Sequence, residues 1–446
     1  MKVIDNAKKG AFKHIIKGIT KASDKTLEKI IDGLLLLTPK EHKEVMTGIK
    51  KSIHDKDAFY KLFKRMVNEC NPNIKDAFFV NFIAQSLLIN ENIKRKIRAQ
   101  GSFAPTTILV SPTMRCNLEC TGCYAARYSM KDDMSYKLFD DILTQAEKMG
   151  VSFFTILGGE PLVYKDLFKI FKKHKDSFFQ FFTNSTLVNQ KVVNKIVKNG
   201  NAIPMISIEG WEKETDERRG KGTYKKILRA MDLMKKAGIP FGVSVAVTSK
   251  NANIISSDKF IKFIVERGAF FSWWFLYMPI GREPDLDLMP TPKQRKMMYE
   301  RGIDIRKKYP MFLVDFWNDA PFVGGCIAGK EYVHINPKGD VEPCIFTHYA
   351  ADNIKDKPLM EVMKSDYFRA LRSKQPYNDN LFMPCMWIDN PEVARDLHKK
   401  YGVYPTHPDA QFIIANEKTK KHLDRYSKEV EVVFRDVWAG HCKNCK

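Results

Sequence analysis

The chain has 446 residues, of which 44% are hydrophobic and 28% charged, the composition of a folded protein with room for two or three domains rather than of a disordered or fibrous one. Its net charge of +22 favours an acidic partner such as nucleic acid, an anionic lipid surface or an acidic peptide, or else reflects a coat of solvated lysines. No apolar run approaches the ~18 residues of a membrane span, and the N-terminus lacks the apolar core and cleavage site of a secretory signal, so the cytoplasm is the expected compartment.

Residues 1–104 read as a basic helical region. Over residues 1–105, 21 Lys/Arg face 11 Asp/Glu. Apolar residues recur at helical spacing at Leu27, Ile30, Ile31, Leu34 and Leu35, then at Phe59, Leu62, Phe63 and Met66, then at Phe78, Phe79, Phe82 and Ile83. Pro39 and Pro72 mark breaks. Such stripes ordinarily pack into a core. The stretch from Ala11 to Ile19, with Lys13 and Lys17 beside Phe12, Ile15 and Ile16, also has the pattern of an amphipathic helix lying on a membrane surface.

From 105 to 310 the pattern alternates. Strands are predicted at 107–111, 151–157, 178–183, 203–208, 241–247 and 271–278. Helices are predicted near 135–149, 165–174, 189–199, 223–237, 256–267 and 292–308. Strands separated by helices of this length imply an α/β fold with a parallel sheet. Six units fall short of a closed eight-stranded barrel, leaving an open, partial barrel or a doubly wound sheet. After 310 the regularity is lost. Gly324-Gly325-Cys326 opens a loop-rich stretch, 311–390, with a turn at Asn336-Pro337-Lys338-Gly339-Asp340 between strand-like runs Tyr332 to Ile335 and Val341 to Phe346. A small region with three cysteines often needs a metal to hold it. The tail, 391–446, reads as helical and ends in a C-x2-C pair, Cys442 and Cys445.

Nine cysteines in a reducing compartment are expected to be ligands or nucleophiles rather than disulfides. Cys70 stands alone in an apolar helical context and reads as core filler. Cys116, Cys120 and Cys123 form a C-x3-C-x2-C run just after the first strand, on a loop where α/β folds place ligands. Three thiolates can grip three irons of a cubane and leave the fourth open for chemistry. The competing reading is structural zinc, which takes four ligands, commonly from two knuckles; no fourth ligand lies nearby in sequence.

On these residues the sequence resembles the radical SAM superfamily. Gly158-Gly159-Glu160-Pro161, closing the second strand, matches the family's Gly-Gly-Glu-Pro motif. Thr183-Asn184-Ser185-Thr186 is similar to its Asn-Gly-Thr turn, and Ser207-Ile208-Glu209-Gly210 to its Ser-Ile-Asp-Gly. Arg219-Gly220 is similar to an element of peptide-modifying members. The resemblance implies a partial (β/α)6 TIM-like barrel with an N-terminal helical region and a small C-terminal cluster-binding domain. It implies a [4Fe-4S] cluster on Cys116, Cys120 and Cys123 that binds S-adenosyl-L-methionine. The amino group would meet Glu160 or backbone carbonyls around Gly158, Gly159 and Pro161. The carboxylate or ribose would meet Asn184, Ser207 and Arg219, and Glu209 would lie near the substrate. The family usually has an aromatic residue just before the third cysteine, against the adenine; here that position is Gly122, and Tyr124 follows the cysteine.

Cys326-x12-Gly339-x4-Cys344 resembles the opening of SPASM and Twitch auxiliary-cluster domains. Cys385, Cys442 and Cys445 are the further ligand candidates for one auxiliary iron–sulfur cluster. Cys385 as core filler and the terminal pair as a redox dithiol are the alternatives. The implied activity is that of an oxidoreductase or transferase: reductive cleavage of the cofactor to a 5′-deoxyadenosyl radical, which abstracts hydrogen from an unreactive C–H bond. The expected partners are a peptide or protein substrate and a reductant such as flavodoxin or ferredoxin, and not nucleic acid. A lipid or membrane-bound precursor, with the chain peripheral to an anionic membrane, and a non-catalytic iron–sulfur or zinc protein are the alternatives.

Overall fold

Short runs of apolar and aromatic residues make the strands. In the computed structural model, which describes residues 18–20, 22–37, 43–129 and 131–444, seven of them lie parallel and side by side in chain order. They are β1 Thr107–Val110, β2 Phe153–Ile156, β3 Phe178–Thr183, β4 Ala202–Ser207, β5 Phe241–Val247, β6 Ala269–Leu276 and β7 Phe312–Asp315. Helices Tyr136–Lys148, Leu167–Lys173, Gln190–Asn199, Thr223–Lys236, Asp258–Glu266 and Pro292–Lys308 make the crossovers. Their starts are chemically marked: the side chains of Ser135, Asn189, Ser257 and Thr291 cap the first turn, and Pro292 takes the first helical position.

Neighbours in the sheet are neighbours in sequence, so the strands curl one way as an open barrel rather than reversing as a doubly wound sheet. Successive side chains alternate between two surroundings. Ile108, Val110, Phe154, Ile156, Phe179 and Phe181 are fully buried in the main core. The alternate residues, among them Leu109, Thr155, Phe182, Ser207, Ala246, Trp273 and Val314 from β1 to β7 in turn, line a cavity in the barrel interior.

Three sequence expectations need correction. The run of parallel strands in chain order reaches seven, because Phe312–Asp315 pairs with β6 where no strand was expected, and an eighth parallel strand, Tyr332–Ile335, joins β1 at the other edge. The run Val341 to Phe346 is strand only as β9, Asp340–Glu342; Pro343 has no N–H to donate to a ladder. The helix expected over 256–267 begins at Asp258, capped by Ser257, after a separate short turn Ala252–Ile255. The anchor pattern at Ala11 to Ile19 lies outside the described residues except for its last two, and Cys445 lies outside them altogether.

The C-terminal cysteine region continues the barrel sheet. β8, Tyr332–Ile335, pairs parallel with the free edge of β1, Leu109 opposite His334, and β9 returns antiparallel to β8. Beyond it, β10 Tyr349–Ala350 pairs with β12 Tyr404–Pro405, and β11 Asp352–Asn353 pairs with β9. A long helix, Glu417–Asn444, packs against helix Pro292–Lys308 and closes the chain.

The N-terminal helices cover the amino ends of the strands. Arg65 Nη1, on helix Ala58–Glu69, donates to the carbonyls of Ala269 at 3.1 Å and Pro310 at 2.9 Å, where β6 and β7 begin. Phe78 and Phe82, on the π-helical stretch Phe78–Ile89, pack their rings against Phe178 (edge-on, 5.7 Å) and Phe153 (tilted, 4.7 Å), the first residues of β3 and β2. Cys70 is buried at 6% exposure in the same core. The basic region is thus a plug at the end of the barrel away from the cysteine loop. Phe78→Ala removes a ring that touches both Phe178 and Phe271, and the expected loss is about 3 kcal/mol of stability, read as a lower denaturant midpoint; an unchanged midpoint would mean that the plug is not coupled to the barrel.

Candidate active site

The loop after β1 is held by the turn after β2. Parallel pairing continues past both strands: Leu157 N–H donates to Val110 O at 2.9 Å, Gly159 N–H to Thr113 O at 3.0 Å, and Glu160 N–H to Arg115 O at 2.9 Å. The approach is so close that a Cβ on Gly158 would lie 2.1 Å from Thr113 O, and one on Gly159 2.3 Å from Arg115 O; Gly158 also has φ +110. Only glycine fits there. Cys116, Cys120 and Cys123 hang from the loop fixed in this way, and all three line the cavity.

The Glu160 side chain joins two turns. Its carboxylate is fully buried and accepts from Leu162 N–H at 3.1 Å, Thr183 Oγ1 at 2.8 Å and Asn184 N–H at 2.7 Å. It ties the turn after β2 to the turn after β3. Burial pushes its pKa up to about 7, against the pull of those three donors. Glu160 and Pro161 do not line the cavity, whereas Gly158 and Gly159 do, so of the two expected partners for an amino group the backbone is the one presented. Asn184 does line it: its Nδ2 donates to Asn117 Oδ1 at 2.9 Å and lies 3.7 Å from Cys116 Sγ.

Glu209 is likewise a support. It is 1% exposed, and its Oε1 takes Arg218 Nη1 at 2.6 Å and Arg219 Nε at 2.8 Å, while Ala246 N–H donates to Oε2 at 3.2 Å. One carboxylate shared by two guanidinium groups leaves a surplus positive charge. Both arginines and Ser207 line the cavity. Arg218 escaped the sequence reading, although it adjoins Arg219 in the same motif. Its Nε is buried with no acceptor among the described atoms, and its carbonyl accepts from Thr121 N–H in the cysteine loop at 3.0 Å.

The second cysteine set reaches the same cavity, of about 410 Å³, through Cys326, Cys344 and Cys385. Tyr332, on β8, donates its hydroxyl to Cys344 Sγ at 3.2 Å. Cys385 is set by Asp389, whose Oδ2 accepts from Cys385 N–H at 3.1 Å and whose Oδ1 pairs with Arg295 Nη1 at 2.6 Å, both side chains fully buried. Cys442 does not line the cavity; it sits near the end of helix Glu417–Asn444, next to His441, whose ring faces Phe382 (5.8 Å) and Phe322 (6.1 Å). Burial pushes the Cys116 thiol up to about 11 and Cys326 up to about 12. Such thiols lose their protons when a metal centre binds them. Among the described residues no three His, Cys, Asp or Glu side chains converge on one metal ion; the thiolates of a sulfide-bridged cubane need not converge on a point.

Gly122 has φ +63, and a Cβ there would lie 2.6 Å from the Tyr277 ring. Tyr277 follows β6, is 3% exposed, lines the cavity beside the three cysteines, and accepts at its hydroxyl from Asp285 N–H at 3.1 Å. The Tyr277 ring therefore occupies the space into which a side chain at position 122 would grow. Tyr124 also lines the cavity and packs edge-on to Phe346 at 5.9 Å.

Residues 110–263 match the family model of the radical SAM superfamily, and residues 326–386 match SPASM, an iron–sulfur cluster-binding domain. The chain is 26% identical over 306 residues to an AdoMet-dependent heme synthase of Methanosarcina barkeri, covering 61% of this chain and 86% of that protein. It is 28% identical over 296 residues to the mycofactocin maturase MftC of Mycobacterium tuberculosis, covering 62% and 75%. In fold it is similar to Streptococcus suis SuiB, solved bound to its precursor peptide SuiA, with a TM-score of 0.54 at 18% identity over 70% of this chain and 83% of that one.

Competition between a side chain at position 122 and Tyr277 can be tested by stability. Gly122→Phe is expected to lower the melting temperature, by collision with Tyr277 and by a left-handed backbone that costs a side chain about 1–2 kcal/mol. Adding Tyr277→Gly opens the space, and the double variant is expected to melt above Gly122→Phe alone. Losses that simply add would show that the two positions do not compete for one space.

Proposed function

The chain belongs to the radical SAM superfamily and carries a SPASM-type auxiliary-cluster domain, and from that premise we propose that it is a peptide-modifying enzyme working inside its open barrel. The observation that carries this reading is the single cavity shared by Cys116, Cys120 and Cys123 with Cys326, Cys344 and Cys385. The peptide is supported by MftC, named a maturase, and by SuiB, solved with a precursor peptide. The described N-terminal helices sit at the amino ends of the strands, away from the cysteine loop. No described helix is long and apolar enough to cross a membrane.

The residues fit the group. Three loop thiols line one side of the cavity, glycine backbone is presented beside them, and the buried Arg218 Nε lacks an acceptor. In this reading Cys116, Cys120 and Cys123 hold the [4Fe-4S] cluster. Gly158 and Gly159 offer backbone to the amino group of S-adenosylmethionine, and Arg218 and Arg219 offer donors to its carboxylate. Asn184 and Ser207 supply polar contacts at the cofactor's edge, and Tyr277 its flat face. When bound, these groups supply the electron and the 5′-deoxyadenosyl radical that removes hydrogen from an unreactive C–H bond. Glu160 and Glu209 act at one remove: they hold the Asn184 turn and the two arginines so that no side chain need reorganise. Cys326, Cys344 and Cys385 hold the auxiliary cluster, with Cys442 and Cys445 as the sources of a further ligand.

Two outcomes are expected. Anaerobically reconstituted Cys116→Ala/Cys120→Ala/Cys123→Ala protein loses roughly four irons and releases no 5′-deoxyadenosine with dithionite and S-adenosylmethionine; continued release would overturn the assignment. Tyr332→Phe deletes a donor to the Cys344 thiolate. A hydrogen bond to a ligating sulfur stabilises the more negative, reduced cluster, so the auxiliary midpoint potential is expected to fall at unchanged iron content. An unshifted potential would exclude Cys344 as a ligand of the titrating cluster.

A further inference from the structure

Between the two cysteine sets the cavity wall is aromatic. Phe182, Trp273, Phe275 and Phe316 form one continuous face, with ring centroids 5.7 Å apart from Phe182 to Trp273, 5.2 Å from Trp273 to Phe316 and 4.5 Å from Phe316 to Phe275. These are inward positions of β3 and β6 and the residue just after β7, so the strand alternation itself aims them at the interior. None of these four rings carries a charge, and the charged groups of the lining are already engaged. The charged lining residues are Arg218, Arg219 and Asp319. The two arginines share Glu209. Asp319 takes Arg306 Nη2 on both oxygens, at 2.6 and 2.7 Å, and accepts from Asp315 N–H at 2.8 Å. A charged substrate group placed among the four rings would lose its water, and the two arginines that could pair with an anion are those offered above to the cofactor carboxylate.

Two buried polar atoms of the lining residues lack an acceptor among the described atoms: Arg218 Nε, next to the first cysteine set, and Trp317 Nε1. Three indoles line the cavity; Trp273 belongs to the aromatic face, and the other two differ in how their buried N–H is used. Trp387 Nε1 donates to Thr347 Oγ1 at 2.7 Å. Trp317 Nε1, on a residue 6% exposed that also lines the cavity, has no acceptor among the described atoms. A buried donor without an acceptor is costly unless a ligand supplies one.

We propose that the substrate group received between the two cysteine sets is an apolar side chain, aromatic or branched, of a peptide whose adjacent backbone carbonyl accepts from Trp317 Nε1. The proposal rests on the peptide-modifying reading and adds the residue class and the contact that orients it. A plain hydrocarbon tail would satisfy the aromatic wall but leave the Trp317 donor unused. A lysine, aspartate or serine side chain would be stripped of water against four rings.

The test uses the full-length, iron-reconstituted protein with S-adenosylhomocysteine and no reductant, so that binding is read without turnover. The probes are N-acetyl-Gly-X-Gly amides with X as Phe, Leu, Ser or Lys, and farnesol, measured by anaerobic equilibrium dialysis. The Phe and Leu peptides are expected to bind about tenfold or more tightly than the Ser and Lys peptides. Trp317→Phe keeps the ring and removes the donor; it is expected to weaken the Phe peptide about threefold to tenfold and to leave farnesol unchanged. Equal binding of all four peptides, or an unchanged Phe-peptide affinity in Trp317→Phe, overturns the proposal while the peptide reading stands. Binding of farnesol with no binding of any peptide overturns the peptide reading itself.

Discussion

The site depends on the close approach of two backbones beyond the ends of their strands. β1 and β2 stop being strands at Val110 and Ile156, yet their pairing runs on to Thr113 and Arg115 on one side and Gly159 and Glu160 on the other. Neither glycine has room for a methyl group, so the cysteine loop can lie flat against the turn only with this sequence. The lock then propagates. Glu160, buried with its carboxylate spent on Leu162, Thr183 and Asn184, fixes the third strand's turn to the second's, and Asn184 in turn holds Asn117 inside the cysteine loop. Removing the carboxylate would leave three donors short of an acceptor, two of them backbone amides with no alternative geometry.

A second lock works through charge. Glu209 is paid for in the interior by two arginines, and the pair is worth more as a positioning device than as a source of stability, since buried ion pairs give back in Coulomb energy roughly what they cost in desolvation. Its effect is to present two cationic groups on the cavity wall next to three thiols. Cys123 feels both arginines, which pull against the burial that raises its pKa. The region thus favours anions in two places, thiolate and carboxylate, using one buried acid as the anchor.

Most of the barrel was legible in the sequence. Phe178–Thr183 and Phe241–Val247 are apolar runs between helices, and a strand buried on both faces has little else it can look like. The cysteine, glycine and arginine motifs were legible because each is local. What was hidden is what depends on partners far away in the chain. β7 is four residues with an exposed phenylalanine and is a strand only because β6 lies beside it. β8 was read as half of a local hairpin, but nothing in Tyr332–Ile335 says that its other edge meets Thr107–Val110. A motif names Glu160 and Glu209 as carboxylates and not whom they bind. Tyr277 could not be matched to Gly122 across more than 150 residues, although a left-handed glycine where the family places a ring was the signal that something else fills the space.

The strand order also explains why two cysteine sets share one cavity. Seven parallel strands do not close a barrel; β1 and β7 are left apart, and the interior would be open along that side. β8 adds to β1, and the segment leading from β7 through Ala320–Val323 to Cys326 spans the opening before β8 begins. Cys344 follows β9, back beside Tyr332 at the start of β8, and Arg295 and Asp389 bring Cys385 to the same wall. The second set is therefore part of the wall that a seven-stranded barrel lacks. Because Tyr332 is in register with Thr107 and the first set hangs beyond Val110, the spacing between the sets follows the length of β1, four residues at about 3.3 Å each. That length is filled by Leu109, Leu157, Phe182 and Ile345, all apolar. A group held between the two sets must lie along this stretch, which is why its chemistry is set by the inward face of the strands rather than by either cysteine loop.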